Sequence, residues 1–137
     1  MLLVDTNILV DVLASDPAWA EWSIHQLRSQ SQVHELIINP VIYSEMSLAF
    51  DTIDAADAAI EHLGLKFLEL PRPALFLAAR AFLKYRRSGG SKRNVLADFF
   101  IGAHAAVLGC GILTRDVRRY RSYFPGVPLV APLKMEE

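Results

Sequence analysis

The sequence has little cysteine and no long apolar run, and both shortages limit what the protein can be. Its 137 residues include a single cysteine, Cys110, so the chain cannot form an internal disulfide. No apolar run approaches the roughly 18 residues that a membrane-spanning helix requires. The first residues, MLLVDTN, lack the basic segment and cleavage site of a signal peptide. We therefore expect a cytoplasmic protein that does not cross a membrane.

Short apolar runs alternate with helical patterns along the chain, and this alternation predicts one α/β domain spanning residues 1–137. Because the predicted strands are short and apolar, we expect a mostly parallel sheet of five strands. These strands are 2–4, 35–39, 67–70, 112–114 and 129–130. The predicted helices are 8–14, 17–32, 40–50, 54–63, 72–87 and 94–108.

Charge is divided unevenly between the two halves of the chain. Residues 1–70 carry 11 acids and two bases, a net charge of −9, whereas residues 71–137 carry 12 bases and four acids, a net charge of +8. Ten of the 14 bases lie between Arg80 and Arg121. Such asymmetry is compatible with a polyanionic partner. The alternative is that these residues only form solvated helix faces.

Two aspartates directly follow predicted core strands. Asp5 ends the first strand, and Asp116 follows the strand 112–114 after one residue. In open α/β sheets ligands bind at the carboxyl ends of the strands, so both carboxylates are candidates for a ligand site. The alternatives are a helix N-cap for Asp5 and a turn aspartate for Asp116.

Two further acids lie inside apolar helical segments. Glu45 shares a helix face with Val41 and Ile42, and Asp98 lies within the run VLADFFI. An unpaired carboxylate in such surroundings is costly unless it is bound to a cation. The alternatives are a stripe edge from which Glu45 reaches water and a buried salt bridge between Asp98 and a nearby arginine.

The four acids together indicate a metal site. Carboxylates crowded at one sheet edge repel each other, so a positive charge must offset them. Oxygen ligands without histidine or cysteine favour Mg²⁺ or Mn²⁺ over zinc. The general chemistry of such a site is phosphodiester hydrolysis.

Three motifs in this order resemble those of the PIN-domain nucleases, and among these the VapC-type toxins of bacterial toxin–antitoxin pairs. The motifs are LLVDTNILVD, N-x-x-x-D-F-F-I-G-A-H-A-A and ILTRD, with a glutamate in the helix after the second strand. The resemblance extends from Met1 to about Pro132. It implies a three-layer α/β/α fold, Mg²⁺- or Mn²⁺-dependent RNA cleavage that inhibits translation, homodimers, and an antitoxin partner whose tail covers the active site.

The resemblance also implies roles for individual residues. The family's four acidic positions, which are catalytic and bind the metal, fall on Asp5, Glu45, Asp98 and Asp116. Its polar positions beside the metal fall on Thr6, Asn7 and Thr114. The alternative for Thr114 is an ordinary threonine at a strand end.

Other polar residues are assigned from their positions alone. Asn94 precedes Asp98 by four residues, so it shares the same helix face and is either a supporting polar residue or the helix N-cap. His104 lies about 240° around the helix from Asp98, which predicts a packing role. Asp11 is expected to be solvated.

Basic residues flank the glycine loop at 88–92 and follow the last acid. The candidates for contacts with RNA phosphates are Arg87, Lys92, Arg93, Arg115 and Arg118. Taken individually, each fits an ordinary surface charge better, and only as a set do they form the candidate RNA track.

Two other functions compete with the nuclease hypothesis. A phosphoryl-transfer domain with a strand-end aspartate needs a second acid two residues later, where this chain has Asn7. A catalytically inactive RNA-binding or partner-binding module on the same fold is the other alternative, and the intact set of acids argues against it.

Overall fold

A five-stranded sheet organises the fold in the computed structural model, which describes residues 1–92 and 95–133. The strands are β1 (Leu2–Val4), β2 (Leu36–Ile38), β3 (Lys66–Phe67), β4 (Gly111–Leu113) and β5 (Leu129–Val130). The helices within the described ranges are α1 (Thr6–Leu13), α2 (Ala20–Gln30), α3 (Pro40–Met46), α4 (Ile53–His62), α5 (Arg72–Arg87), α6 (Leu96–Leu108) and α7 (Arg118–Tyr123). A 3-10 turn, Ser47–Ala49, continues α3.

The strand order is β3-β2-β1-β4-β5, and every pair of neighbours is parallel. Pairing in the centre aligns Leu2 with both Leu36 and Gly111. The chain builds outward from β1 to β3 and then crosses to the other side of β1. Right-handed crossovers therefore put α1–α4 on one face and α5–α7 on the other. This arrangement confirms the predicted α/β/α class with a five-stranded sheet, and it is parallel throughout.

The change of direction creates a switch point between β1 and β4. Helices on opposite faces leave a crevice there at the carboxyl ends of the two strands, where ligands bind in open α/β sheets. Both strands are anchored in the core, since Leu3 and Val4 of β1 and Ile112 and Leu113 of β4 are fully buried. The residues that follow them are therefore held rigidly at the crevice.

Helix α6 packs tightly beneath this edge. Phe99, Ile101 and Ala103 are fully buried, and a Cβ on Gly102 would lie 2.3 Å from the ring of Phe124. The missing side chain therefore lets α6 and the segment after α7 approach closely. The helix ends, as predicted, at Gly109, whose φ of +69° is the left-handed conformation of a C-cap.

Some helices and strands begin or end at other residues than predicted, and local interactions explain part of these differences. Helix α2 begins at Ala20 rather than at residue 17, because the Asp16 carboxylate accepts hydrogen bonds from the backbone of Ala18 and Trp19 and holds a turn there. Strand β3 lies at 66–67 rather than 67–70, and its two residues are exposed. The prediction missed α7, whose sequence RRYRSY contains no apolar stripe. No helix in the described part of the chain is long and apolar enough to span a membrane.

Candidate metal centre

Asp5 lies at the end of β1 and is the most buried of the four acids, with 5% of its surface exposed. Oδ2 accepts hydrogen bonds from the hydroxyls of Thr114 and Tyr120, both at 2.8 Å. Oδ1 accepts the backbone N–H of Thr6 at 2.7 Å, so Asp5 also caps α1 as the alternative anticipated. The pKa of Asp5 is raised from 3.8 to about 6, chiefly by burial and in part by the charge of Asp98, while these hydrogen bonds oppose the rise.

Thr114 and Asn7 tie the end of β1 to the end of β4. Thr114 is fully buried, and its hydroxyl also accepts the backbone N–H of Asp116 at 3.0 Å. The Asn7 amide donates to the Thr114 hydroxyl at 3.3 Å and to Asp5 at 3.5 Å, while its carbonyl accepts the backbone N–H of Arg115 at 3.2 Å. These side chains fix the position of the Asp5 carboxylate.

Glu45 reaches the same edge from α3. Its carboxylate accepts a hydrogen bond of 2.5 Å from the hydroxyl of Thr6, the first residue of α1. The Asn39 side chain caps α3 by accepting the backbone N–H of Ile42 at 3.0 Å, and this bond fixes the start of the helix. Thr6 therefore links Glu45 to the segment that carries Asp5.

Asp98 lies in the first turn of α6 and is partly buried. Its Oδ2 lies 3.2 Å from Nη1 of Arg119, so the salt bridge named as the alternative is present. Burial raises the pKa of Asp98, Arg119 opposes that rise, and the charges of Asp116 and Glu45 add to it. The side chain exposure of 33% means that this pair is not a deeply buried one.

Asp116 is exposed and follows β4. Asp98 lies within electrostatic range of Asp116 and Glu45, and it also raises the pKa of Asp5. The structure therefore brings all four predicted acids to one sheet edge, with Asp98 coupled to each of the others.

The geometry can be compared with known proteins. A family model described as PIN domain matches residues 2–124, which is most of the chain. The chain belongs to the PIN-domain family. No curated protein gives a significant match to the sequence.

Solved structures share the fold of this PIN domain at low sequence identity. VapBC2 from Rickettsia felis, bound to a DNA fragment from its promoter, has a TM-score of 0.74 and 14% identity, covering 96% of this chain and 98% of the other. FitAcB from Neisseria gonorrhoeae has a TM-score of 0.70 and 19% identity, covering 98% and 100%. A toxin–antitoxin complex from Klebsiella pneumoniae has a TM-score of 0.68 and 19% identity, covering 98% and 100%.

The donor set of the PIN domain fits a hard divalent cation. Its members are carboxylate oxygens whose mutual repulsion a cation would offset, and hydroxyl and amide groups surround them. As the side chains stand, no three carboxylate, imidazole or thiolate groups in residues 1–92 and 95–133 are grouped closely enough to hold one ion. In this arrangement Glu45 contacts Thr6 and Asp98 contacts Arg119.

Sequence reasoning missed the contribution of α7. The adjacent residues Arg119 and Tyr120 contact Asp98 and Asp5, which lie on different elements. A tyrosine four residues after the last acid of the ILTRD motif was the available signal, since it is the aromatic residue closest to that strand end in the sequence.

The expectation of a solvated Asp11 needs correction, and Arg115 has a structural partner. Arg115 was a candidate RNA contact, and Asp11 was expected to be solvated. Instead, Nε and Nη2 of Arg115 lie 2.6 and 2.8 Å from the carboxylate of Asp11, which is 2% exposed and also accepts from Ser23. The guanidinium stacks over Trp19 at 4.9 Å from the ring centroid. Arg115 is thus committed to a structural ion pair.

The remaining basic and polar candidates have different positions. Arg87, Lys92 and Arg118 are exposed, and Arg118 is the first residue of α7. Arg93 and Asn94 lie outside the described residues. His104 is buried, as its predicted packing role requires, with Nδ1 at 3.1 Å from the amide nitrogen of Asn39.

Proposed function

We propose that this PIN domain is a Mg²⁺- or Mn²⁺-dependent endoribonuclease and the toxin of a type II toxin–antitoxin pair. The observation that supports this most strongly is the meeting of Asp5, Glu45, Asp98 and Asp116 at the β1–β4 switch point. They arrive there from two strand ends and two helices. Burial raises the pKa of both Asp5 and Asp98, and the charges of neighbouring acids add to the rise, so this concentration of acids does not stabilise the metal-free fold.

In this proposal, the four carboxylates hold the cation, which activates water and shields the charge that develops on the phosphate. The work of the chain is to place those carboxylates. Tyr120 and Thr114 donate to Asp5 and favour its ionised form at a buried position. Thr6 orients Glu45, and Asn7 joins the two strand ends.

The charge distribution favours a polyanionic substrate, and the family resemblance implies that this polyanion is RNA. The acidic edge repels a phosphate backbone until a cation binds, so bases around it are needed to attract the strand. Arg87, Lys92 and Arg118 are exposed and available for phosphate contacts. In this proposal the uneven distribution of charge has a function, because the acids bind metal and the bases bind RNA.

The antitoxin partner is proposed from structures of the same fold. One is a toxin–antitoxin complex, and another is a VapBC2 assembly on promoter DNA. We propose that a cognate antitoxin binds this chain and blocks its edge, and that cleavage of RNA in its absence inhibits translation. Co-expression with the product of the neighbouring gene should abolish nuclease activity. A homodimer, which the family resemblance implies, stays a prediction.

A cleavage assay on purified protein tests the enzymatic proposal. We expect RNA degradation with Mg²⁺ or Mn²⁺ and none in excess EDTA. Glu45→Gln should abolish cleavage, whereas Glu61→Gln, the same change at an exposed position on α4, should retain it. Cleavage that persists in EDTA or in the Glu45 variant would contradict the proposal.

The same assay separates the competing functions. An inactive binding module would retain RNA or partner affinity without cleavage under any metal. A phosphoryl-transfer domain would use Asp5 as a nucleophile next to a second acid. The corresponding residue, Asn7, instead hydrogen-bonds Thr114 and the backbone of Arg115.

A further inference from the structure

In residues 1–92 and 95–133, two arginine–aspartate pairs lie near the β1–β4 edge, and they differ in kind. Arg115 forms a bidentate ion pair with Asp11 through two nitrogens at 2.6 and 2.8 Å, and the Asp11 side chain is 3% exposed. Arg119 touches Asp98 through one nitrogen at 3.2 Å, and the exposed fractions of the two side chains are 21% and 33%. The first pair has the geometry of a fixed structural bond, whereas the second is held through a single nitrogen to a carboxylate whose side chain is one third exposed.

The Arg119–Asp98 pair lies among the other acids of the cluster, so its opening affects all of them. Asp98 is the acid coupled to Asp116, Glu45 and Asp5, so a cation beside Asp98 relieves the repulsion of the whole cluster. In the structure that cation is the Arg119 guanidinium. A divalent ion held by the same carboxylate would compete with it for Oδ2.

Arg119 also has a second contact that does not depend on Asp98. Its guanidinium carbon lies 5.3 Å from the ring centroid of Tyr85, which is buried on α5. Cation–π attraction to that ring offers the side chain a position to keep when it releases the carboxylate. Its neighbour Tyr120 anchors α7 to Asp5, so the side chain can move while the helix stays.

We propose that Arg119 is a resident counter-cation that stabilises the metal-free cluster and leaves Asp98 when a divalent ion binds. The proposal rests on the metal-dependent function proposed above. It assigns Arg119 a positioning role that neither the family match nor the motifs indicate. The exchange keeps one cation on Asp98 in both states, so the site is never left with its full repulsion.

Calorimetric titration of EDTA-treated protein with Mn²⁺ tests this directly. Arg119→Gln removes the competitor and should bind Mn²⁺ at least about fivefold tighter, the effect of one unit charge at about 4 Å even in bulk water. The same variant without metal should melt at a lower temperature than the parent. Arg119→Lys keeps a cation and should bind Mn²⁺ much as the parent does.

A matched control distinguishes loss of the direct contact with Asp98 from loss of one positive charge on α7. Arg121→Gln removes the same charge from an exposed position on α7. We expect it to change Mn²⁺ affinity less than Arg119→Gln, and to lose its effect in high salt. Equal or weaker Mn²⁺ binding by Arg119→Gln, with normal binding by the parent, would overturn this proposal and leave the nuclease proposal intact. If the parent binds no Mn²⁺, both proposals fail.

Discussion

The hydroxyl of Tyr120 donates a 2.8 Å hydrogen bond to Oδ2 of Asp5, although 115 residues separate the two positions. Both side chains are buried, and burial together with the charge of Asp5 raises the pKa of Tyr120 well above 10.0. The phenol therefore stays protonated and acts as a permanent donor. It joins the short helix α7 to the first strand of the sheet, at the position where the proposed metal site needs an ionised carboxylate.

Replacing Tyr120 by Phe should impair the site through the pKa of Asp5. That pKa is about 6, and the Tyr120 hydrogen bond lowers it. Without the bond, Asp5 ionises only at higher pH, so the acid limb of metal-dependent cleavage should move to higher pH. Loss of a hydrogen bond to a charged group should also cost about 1.5–3 kcal/mol of stability.

The measurement is a pH profile of Mn²⁺-dependent RNA cleavage for the parent and Tyr120→Phe. Tyr123→Phe, the same change on the same helix, is the control, because the Tyr123 ring packs against Phe99 at 5.2 Å between centroids. An unchanged acid limb in Tyr120→Phe would show that the hydroxyl does not tune Asp5.

The strand-end acids could be predicted from sequence, whereas their contacts with α7 could not. Asp5 and Asp116 follow apolar runs that can only be core strands, so their place at the sheet edge follows from topology. Tyr120 and Arg119 lie in a six-residue helix without amphipathic periodicity, and their partners are 115 and 21 residues distant. Contacts over such separations depend on how helices pack, which no local pattern encodes.

The partner of Asp11 shows the same limit of local reasoning. Asp11 lies on α1 inside the apolar run ILVDVLA, surroundings of the kind that singled out Asp98, so its burial could have been predicted. Its partner Arg115 could not, because 104 residues separate the two in sequence. The expectation of a solvated Asp11 failed because the residue was interpreted without that partner.

Asp98→Asn should abolish cleavage while leaving the metal-free fold nearly as stable as the parent. The substitution removes the Arg119 ion pair, but that pair is partly exposed and worth about 1 kcal/mol or less. It also removes repulsion and desolvation, whose combined effect raises the pKa of Asp98. A denaturant melt in EDTA should differ from that of the parent by no more than about 1 kcal/mol. A loss of roughly 3–5 kcal/mol would mean that Asp98 is primarily a structural ion-pair partner.

His104 should make the metal-free fold less stable in mild acid. Its Nδ1 faces the Asn39 amide nitrogen, whose orientation is fixed because the Asn39 carbonyl accepts from Ile42. Nδ1 must therefore accept, and burial lowers the pKa of His104. A pKa lower in the folded state means that the unfolded chain takes up the proton first, so stability falls as the pH drops below about 6.5.

Chemical denaturation of the parent and His104→Gln in EDTA, across this pH range, measures the effect. The difference in unfolding free energy between the two proteins is the relevant quantity, because the opposite contribution of Asp5 is common to both. The parent should lose its advantage as the pH falls from about 7 to about 5. A difference that does not change with pH would contradict a neutral buried histidine.

Arg115 and Arg118 should respond oppositely to replacement by alanine, although three residues separate them. Arg115→Ala strands the carboxylate of Asp11, which is 3% exposed, and should cost roughly 2–3 kcal/mol, the lower range for a pair whose arginine is 26% exposed. Arg118 is exposed at the start of α7, so its replacement should leave the free energy of unfolding within about 0.5 kcal/mol of the parent value.

If Arg118 contacts a phosphate, its loss should reduce the slope of log affinity against log salt by about 0.7 for single-stranded RNA. Binding measured across a salt series with Ca²⁺ in place of Mg²⁺ tests both variants, with Arg115→Ala expected to keep the parent slope. Cleavage positions should stay the same in Arg118→Ala, because phosphate contacts hold the strand without reading its bases. An unchanged slope in Arg118→Ala, or a reduced slope in Arg115→Ala, would contradict this division between a binding cation and a structural one.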